Sequence, residues 1–275
     1  MKRLAEQARA EMEELARQNQ IEVCEYRMVP VSAGEYGLAA VSRSLLGYQN
    51  LFSQIYDAMR NGGKTKAVIG HEAEEESALE FAFSYSGSLG VVLLARNERS
   101  FFDGKLDKPI EALFQIMEIS DVDSVKDVAR ALGHAVVKRV HDWSEATVAG
   151  GFSADIRWKR SDGKLLGQMV DRSKLEKIVE FINATSDKKK RTVSIRGVLL
   201  GGHILSRSFD IAVPEGERYS GHIADDATLA GPMNLGRQYD AEIEISETYY
   251  YATEKTKTEQ TLKKLVGPLP DANLT

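Results

Sequence analysis

From residue 192 onward the apolar side chains recur at every second position, whereas before residue 184 they recur mostly at steps of three and four. A period near 3.6 marks a helix with one buried face, and a period of two marks a strand with one buried face. A chain that switches between the two reads as α+β: a mixed helix and strand N-terminal domain followed by a small β-barrel. Between them lies ATSDKKKR, 184–191, polar, turn-forming and charged, the expected linker. The expected division is an α+β domain over 1–184, a charged linker over 184–191 and a barrel domain over 192–267.

Within the first domain, residues 1–20 form a helix whose apolar positions Leu4, Ala8, Met12 and Leu15 make one thin stripe. Such a stripe packs on its own domain or docks on a partner or a second copy, and these four residues are the candidate partner contacts. IEVCEYRMVPV (21–31) reads as a strand ended by Pro30, with Ile21, Val23 and Tyr26 facing in. A helix from about Ser42 carries Leu45, Tyr48, Phe52, Ile55 and Met59, and the NGG at 61–63 stops it. KAVIG (66–70) and the two halves of SALEFAFSYSGSLGVVLLARN (77–97) read as strands. A short helix over Pro109 to Met117 and a longer one over Ser124 to Trp143 follow. Arg160-Ser161-Asp162-Gly163 signals a hairpin between SADIRWK and KLLGQMV. Asp171 or Ser173 then caps a helix with Leu175, Ile178, Val179 and Ile182 inward.

In the second domain, TVSIRGVLL, ILSRSFDIAV, ERYSGHI, QYDAEIEISETYYY and KTEQTLKKLV are five strand candidates, with DDATLAGPMNLG (225–236) read as a helical turn or two. Five short strands with a small helix before the fourth suit an OB-like or SH3-like barrel. Gly197, Leu199, Phe209, Ile211, Gly216, Gly221 and Ile223 follow the pattern G-x-L…F-x-I…G-x-x-x-x-G-x-I. On these positions the stretch 152–266 resembles the C-terminal barrel of a broad set of uncharacterised bacterial proteins. The resemblance implies a bacterial chain accessory to an effector enzyme of a mobile-element or defence locus, and brings no catalytic residues with it.

Composition narrows the chemistry. The chain has 275 residues, a net charge of -5 and 28% charged residues, the profile of a globular protein. No apolar run reaches the ~18–20 residues a membrane span needs, so no membrane is expected and a cytoplasmic location is. The single Cys24 offers neither disulfide nor thiolate cluster. His71-Glu72-Ala73-Glu74 lacks a second histidine four residues after the first, because Glu75 stands there. His134 and His141, two turns apart, read as one exposed helix face. His203 and His222 each follow a glycine, which bends in a small sheet explain without a ligand. Ser84 to Gly90 is the best ligand-loop candidate of the first domain, although it leads into a strand and not a helix. Neither metal nor cofactor is expected.

Nucleic acid, the alternative partner, would meet Arg157, Lys188, Lys189, Lys190, Arg191, Arg207, Arg218 and Tyr219, with Tyr249 to Tyr251 near them. Asp240, Glu242 and Glu244 on one strand face oppose it there. No hydrolase or nuclease motif stands out, so that third reading rests on no specific residue. The expected function is a non-catalytic scaffold acting through a protein partner or as a homo-oligomer.

Overall fold

The computed structural model describes residues 11–31, 36–85, 89–99, 103–203, 205–214 and 216–269. They mix helix and strand and divide into two compact units: residues 1–185 with 251–254, and residues 186–250 with 255–275. No helix among them is long and apolar enough to cross a membrane.

Unit 1 is a five-stranded antiparallel sheet with helices packed on it. Its strands are β1 (Ile21–Pro30), β2 (Glu80–Tyr85), β3 (Leu89–Arg96), β4 (Phe152–Lys159) and β5 (Leu165–Val170), in the order β2-β3-β1-β4-β5. Its helices are α1 (11–18), α2 (Leu38–Asn61), α3 (His71–Glu76), α4 (Asp107–Ile116), α5 (Val122–Leu132), α6 (His134–Ala149) and α7 (Arg172–Ala184). Strand alternation sends Cys24, Tyr26 and Met28 to one face, where they meet the buried residues of α2 and α6. Both tryptophans are fixed there by hydrogen bonds: Trp143 Nε1 donates to Tyr26 Oη at 2.9 Å and Trp158 Nε1 to Tyr48 Oη at 2.8 Å. Buried indole and phenol groups thereby keep polar partners while their rings fill the core. On the opposite face, Ala16 of α1 packs with Val23 and Val92, and Met12 joins them.

Three expectations are corrected in this unit. The helix read over Ser124 to Trp143 is two helices, broken at Gly133, whose φ is +88°. That torsion is open chiefly to glycine, and a Cβ on Gly133 would stand 2.6 Å from the Lys64 backbone nitrogen, so the break is also where two chain segments meet. KAVIG is not a strand. Its backbone is tied to other segments, with Arg139 Nη2 donating to Ala67 O at 2.8 Å and Ala67 N donating to Glu254 Oε1 at 2.6 Å. Met59 is exposed, because α2 turns its last residues away from the core. Asp171, of the two candidates, caps α7 by accepting from Lys174 N at 2.8 Å.

Unit 2 contains β6 (Ser186–His203), β7 (Ser208–Ala212), β8 (Arg218–Ala230), β9 (Gln238–Tyr250) and β10 (Lys255–Val266), which close in the order β10-β8-β7-β6-β9. All ladders are antiparallel except β10 with β8. The core is apolar, made of Leu199, Phe209, Ile211, Ile223, Tyr239, Ala241, Ile243, Ile245, Leu262 and Leu265. The expected linker is corrected: Ser186 to Arg191 are the first third of β6 and pair with Tyr250 to Ile245 of β9. A charged run reads as solvated coil in sequence, yet an edge strand tolerates it well because both of its faces reach water. DDATLA, read as a helical turn, is the second half of β8 and is held by β10 at Thr228 to Ala230.

Candidate functional site

The barrel disperses the residues proposed for it. His203 and His222 sit on β6 and β8, each directly opposite Ser208 of the intervening β7. Two strand spacings therefore separate them, about 10 Å, and His203 Nδ1 is engaged by Ser206 N at 3.0 Å. Asp225 pairs with Arg207 and Asp226 with Lys263. Arg207 also donates to the Ile223 carbonyl at 3.3 Å, and Arg218 forms a fork with Asp210. Tyr219 packs partly against the barrel core and its hydroxyl donates to Glu217 at 2.7 Å, so it is not a free stacking surface. The acid stripe of β9 is answered by its neighbours: Asp240 by Arg196, Glu242 by Lys264 and Glu244 by Lys190.

Residues 186–191 of β6 and 255–260 of β10 each pair with residues 245–250 of β9, which lies between them, to form a three-stranded arm. It carries Lys188, Lys189, Lys190, Arg191, Lys255 and Lys257 against Asp187, Glu247 and Glu259. Arg157, grouped with these cations in the sequence, lies in unit 1 on β4, forked onto Asp155 at 3.2 and 3.3 Å. Arg27 meets the same carboxylate at 2.9 Å. Tyr85 is in this neighbourhood, 3.5 Å from Glu25, and these five residues line a pocket of about 170 Å³. Of the proposed ligand loop, residues 86–88 lie outside the described residues.

Unit 1 also holds a buried ionic network that charge patterning did not reveal. Glu22 and Asp107 are buried, and Asn97 Nδ2 bridges them, 2.5 Å from Glu22 Oε1 and 3.0 Å from Asp107 Oδ1. Arg99 Nη2 donates to both, at 3.2 and 3.0 Å. Ser161 N and Oγ close on Glu22 at 2.6 and 2.8 Å. Arg160 reaches Asp107 and Asp162 at 2.5 Å and Glu111 at 3.0 Å. The network fastens β1, the approach to α4 and the β4–β5 turn to one another. The Arg-Ser-Asp-Gly signal announced the turn, and nothing in its spacing announced the buried partners.

The two helix histidines are not an exposed face. His141 is only 7% exposed. Its Nδ1 stands 3.5 Å from Asp142 Oδ1, while its Nε2 is buried with no hydrogen-bond partner. With Glu145, four residues on, His141 and Asp142 bring one ligand atom each to within 4.8 Å of one another. Lys138 also contacts Asp142. Burial pushes the Asp142 carboxyl up, but His141 and Lys138 outweigh it and hold it below its ordinary pKa. His134 instead packs its ring edge-on to Tyr251 at 4.6 Å. The i, i+4 spacing of His141 and Glu145 was the available signal, hidden by the assumption that this face meets water.

Cys24 is buried and its thiol is pushed up to about 12 by that burial, which leaves it a poor nucleophile. Of the N-terminal stripe, Leu4 and Ala8 lie outside the described residues; Met12 turns to its own sheet and Leu15 is 59% exposed. Ala16, one turn beyond Met12, is the buried member instead, so the described part of the stripe is divided between the sheet and solvent.

No family model matches the sequence, and no curated protein does. Among solved structures, the chain is similar to the crystal structure of Ag(I)CusF, with 11% identity over 28% of this chain and 96% of that one, at a TM-score of 0.18. It is also similar to apo-CusF residues 6–88 from Escherichia coli, with 10% identity over 28% of this chain and 88% of that one, again at 0.18. Likeness at that level carries no argument for this chain.

Proposed function

We propose that the chain is a non-catalytic bacterial assembly component that works through protein contacts and whose second unit is an OB-like barrel. In chain order, the first barrel strand pairs with the second and the fourth, the second with the third, and the third runs parallel to the fifth. That connectivity supports the OB-like reading. Barrels of this kind take hold of ligands with the turn between their fourth and fifth strands, among other loops. The observation that carries the proposal is that this turn, Tyr251–Glu254, belongs to unit 1. Tyr251 is buried there and Glu254 accepts from Ala67 N. A turn that would otherwise reach a ligand is held by the chain's own residues, which supports a role other than ligand capture or catalysis at that turn.

The test is the mass of the intact chain in solution across a concentration range, with and without Leu15→Glu, together with crosslinking in its own cells. Concentration-dependent assembly or a reproducible crosslinked protein partner is expected. A monomer at every concentration with no crosslinked partner overturns the reading. The second reading, a nucleic-acid accessory module, is favoured by the arm, which holds six cations and three carboxylates in a chain of net charge -5. Binding of labelled single- and double-stranded RNA and DNA that weakens steeply with salt would support it; none at low salt removes it.

A further inference from the structure

Alternation sorts the charges of the three-stranded arm. Residues opposite one another in neighbouring strands share a face, and successive residues of one strand take opposite faces. The row of Ile245, Arg191 and Gln260 continues the face that lines the barrel core, as do the rows of Glu247 with Lys189 and Tyr249 with Asp187. On that face two cations meet two carboxylates. The outer face, made of the rows of Ser246, Thr248 and Tyr250, gathers Lys188, Lys190, Lys255 and Lys257 against Glu259 alone. Four lysines against one carboxylate leave a surplus of three positive charges there, in a chain of net charge -5.

The lysines form two rails, one on β6 and one on β10, about 9.5 Å apart across β9. Lys190 and Lys257 rest on Glu244 and Glu259 at 3.1 and 2.8 Å, but these pairs are exposed, so they are worth little and exchange readily for another anion. Between the rails β9 presents two hydroxyls and the Tyr250 ring, which is 38% exposed. A row of acidic side chains would answer the lysines and leave that ring unused. A nucleic-acid strand offers phosphates to the rails and a base plane to the ring. In a duplex the faces of a base are covered by its neighbours, so the ring selects an unpaired strand. We propose that the outer face of the arm binds single-stranded nucleic acid, with its phosphates between the two lysine rails and one base stacked on Tyr250. The proposal rests on the nucleic-acid reading of the arm and adds to it a face and a preference for single strands.

The probe is a fluorescein-labelled oligothymidylate, titrated with the intact chain and read by anisotropy over a series of salt concentrations. Binding is expected, with a slope of log K against log salt of about -3 for four contacts to a single strand. Lys188→Ala and Lys255→Ala should each reduce the steepness by about 0.7. Lys189→Ala loses the same charge from the opposite face and should leave the slope unchanged. Glu259→Gln frees Lys257 and should tighten binding, a gain that misfolding does not imitate. Tyr250→Ala should weaken binding at least about fivefold, and Tyr250→Phe should not. The same strand paired with oligoadenylate should bind more weakly. Binding that Lys188→Ala and Lys189→Ala weaken alike, or that the duplex shares in full, overturns the proposal and leaves the nucleic-acid reading standing. No binding at low salt overturns both.

Discussion

The two units solve the burial of charge in opposite ways. Unit 1 buries Glu22, Asp57, Asp107 and Arg160 and meets them with Arg99, Lys64, Asn97 and Ser161, from segments far apart in the chain. Unit 2 keeps its described ion pairs on the outside, strand to neighbouring strand, around an apolar interior. A buried pair contributes little net stability but is costly to break, because the surviving partner is stranded away from water. An exposed pair contributes little and is cheap to lose. The first unit is therefore specified by its polar contacts and the second by the shape and alternation of its apolar ones.

The sharpest way to break this contrast is Asp107→Ala, which removes the buried carboxylate shared by Arg99, Arg160, Asn97 Nδ2 and Gly104 N and leaves those buried donors short of an acceptor. It should cost unit 1 about 3–5 kcal/mol. Both tryptophans of the chain, Trp143 and Trp158, lie in that unit, so their fluorescence in a denaturant titration reports the loss. An unmoved fluorescence midpoint would place the network among dispensable surface pairs.

Ile243→Ala is the matching cut in the barrel, expected to cost about 2–5 kcal/mol through the cavity it leaves. Amide exchange of the barrel strands should accelerate while tryptophan fluorescence holds. Loss of both together would show that the units unfold as one.

Acid gives a third, smaller separation. Burial pushes the Asp57 carboxyl up, yet Lys64 and Asn61 outweigh it and set its pKa below the ordinary value. A depressed carboxyl stabilises the fold above its unfolded pKa, about 4, and that contribution fades as pH falls through the lower folded value. Lys64→Met should move the acid unfolding of unit 1 to higher pH, by a loss of about 1–3 kcal/mol near neutrality. Asp171→Ala should cost about 1 kcal/mol by uncapping α7. Arg196→Ala should be the mildest change, within about 1 kcal/mol and vanishing as salt is raised. A large effect there would contradict the contrast between the units.

Much of the architecture was legible where a local rule and the tertiary fold agree. Alternation gave β9, the Asp-Gly turn gave the β4–β5 hairpin, and the steps of three and four gave the body of α2. Where a local rule was outvoted, the reading failed. Gly133 sits inside an unbroken helical pattern, and only the close approach of Lys64 explains why the helix stops. ATSDKKKR has the composition of coil, but β9 offered it a hydrogen-bonding partner more than fifty residues away. The candidate sites were least legible of all. A histidine among polar neighbours looks exposed until a second helix covers it, and carboxylates give no sign in sequence of which will be buried. For Glu22 the partners Asn97 and Ser161 lie 75 and 139 residues off, so no spacing rule could join them.

The turn Tyr251–Glu254 also sets an order of events during synthesis. Domains emerging from the ribosome generally fold as units, the N-terminal one first. Here the earlier unit lacks four of its residues until four of the five strands of the later one have been made. Ala67 waits for Glu254, and His134 for Tyr251, through the translation of four barrel strands. Nascent unit 1 should thus remain open to proteolysis near residues 62–70 until residue 254 has been released, then close. The chain is assembled less like beads on a string than like a buckle whose tongue is made last.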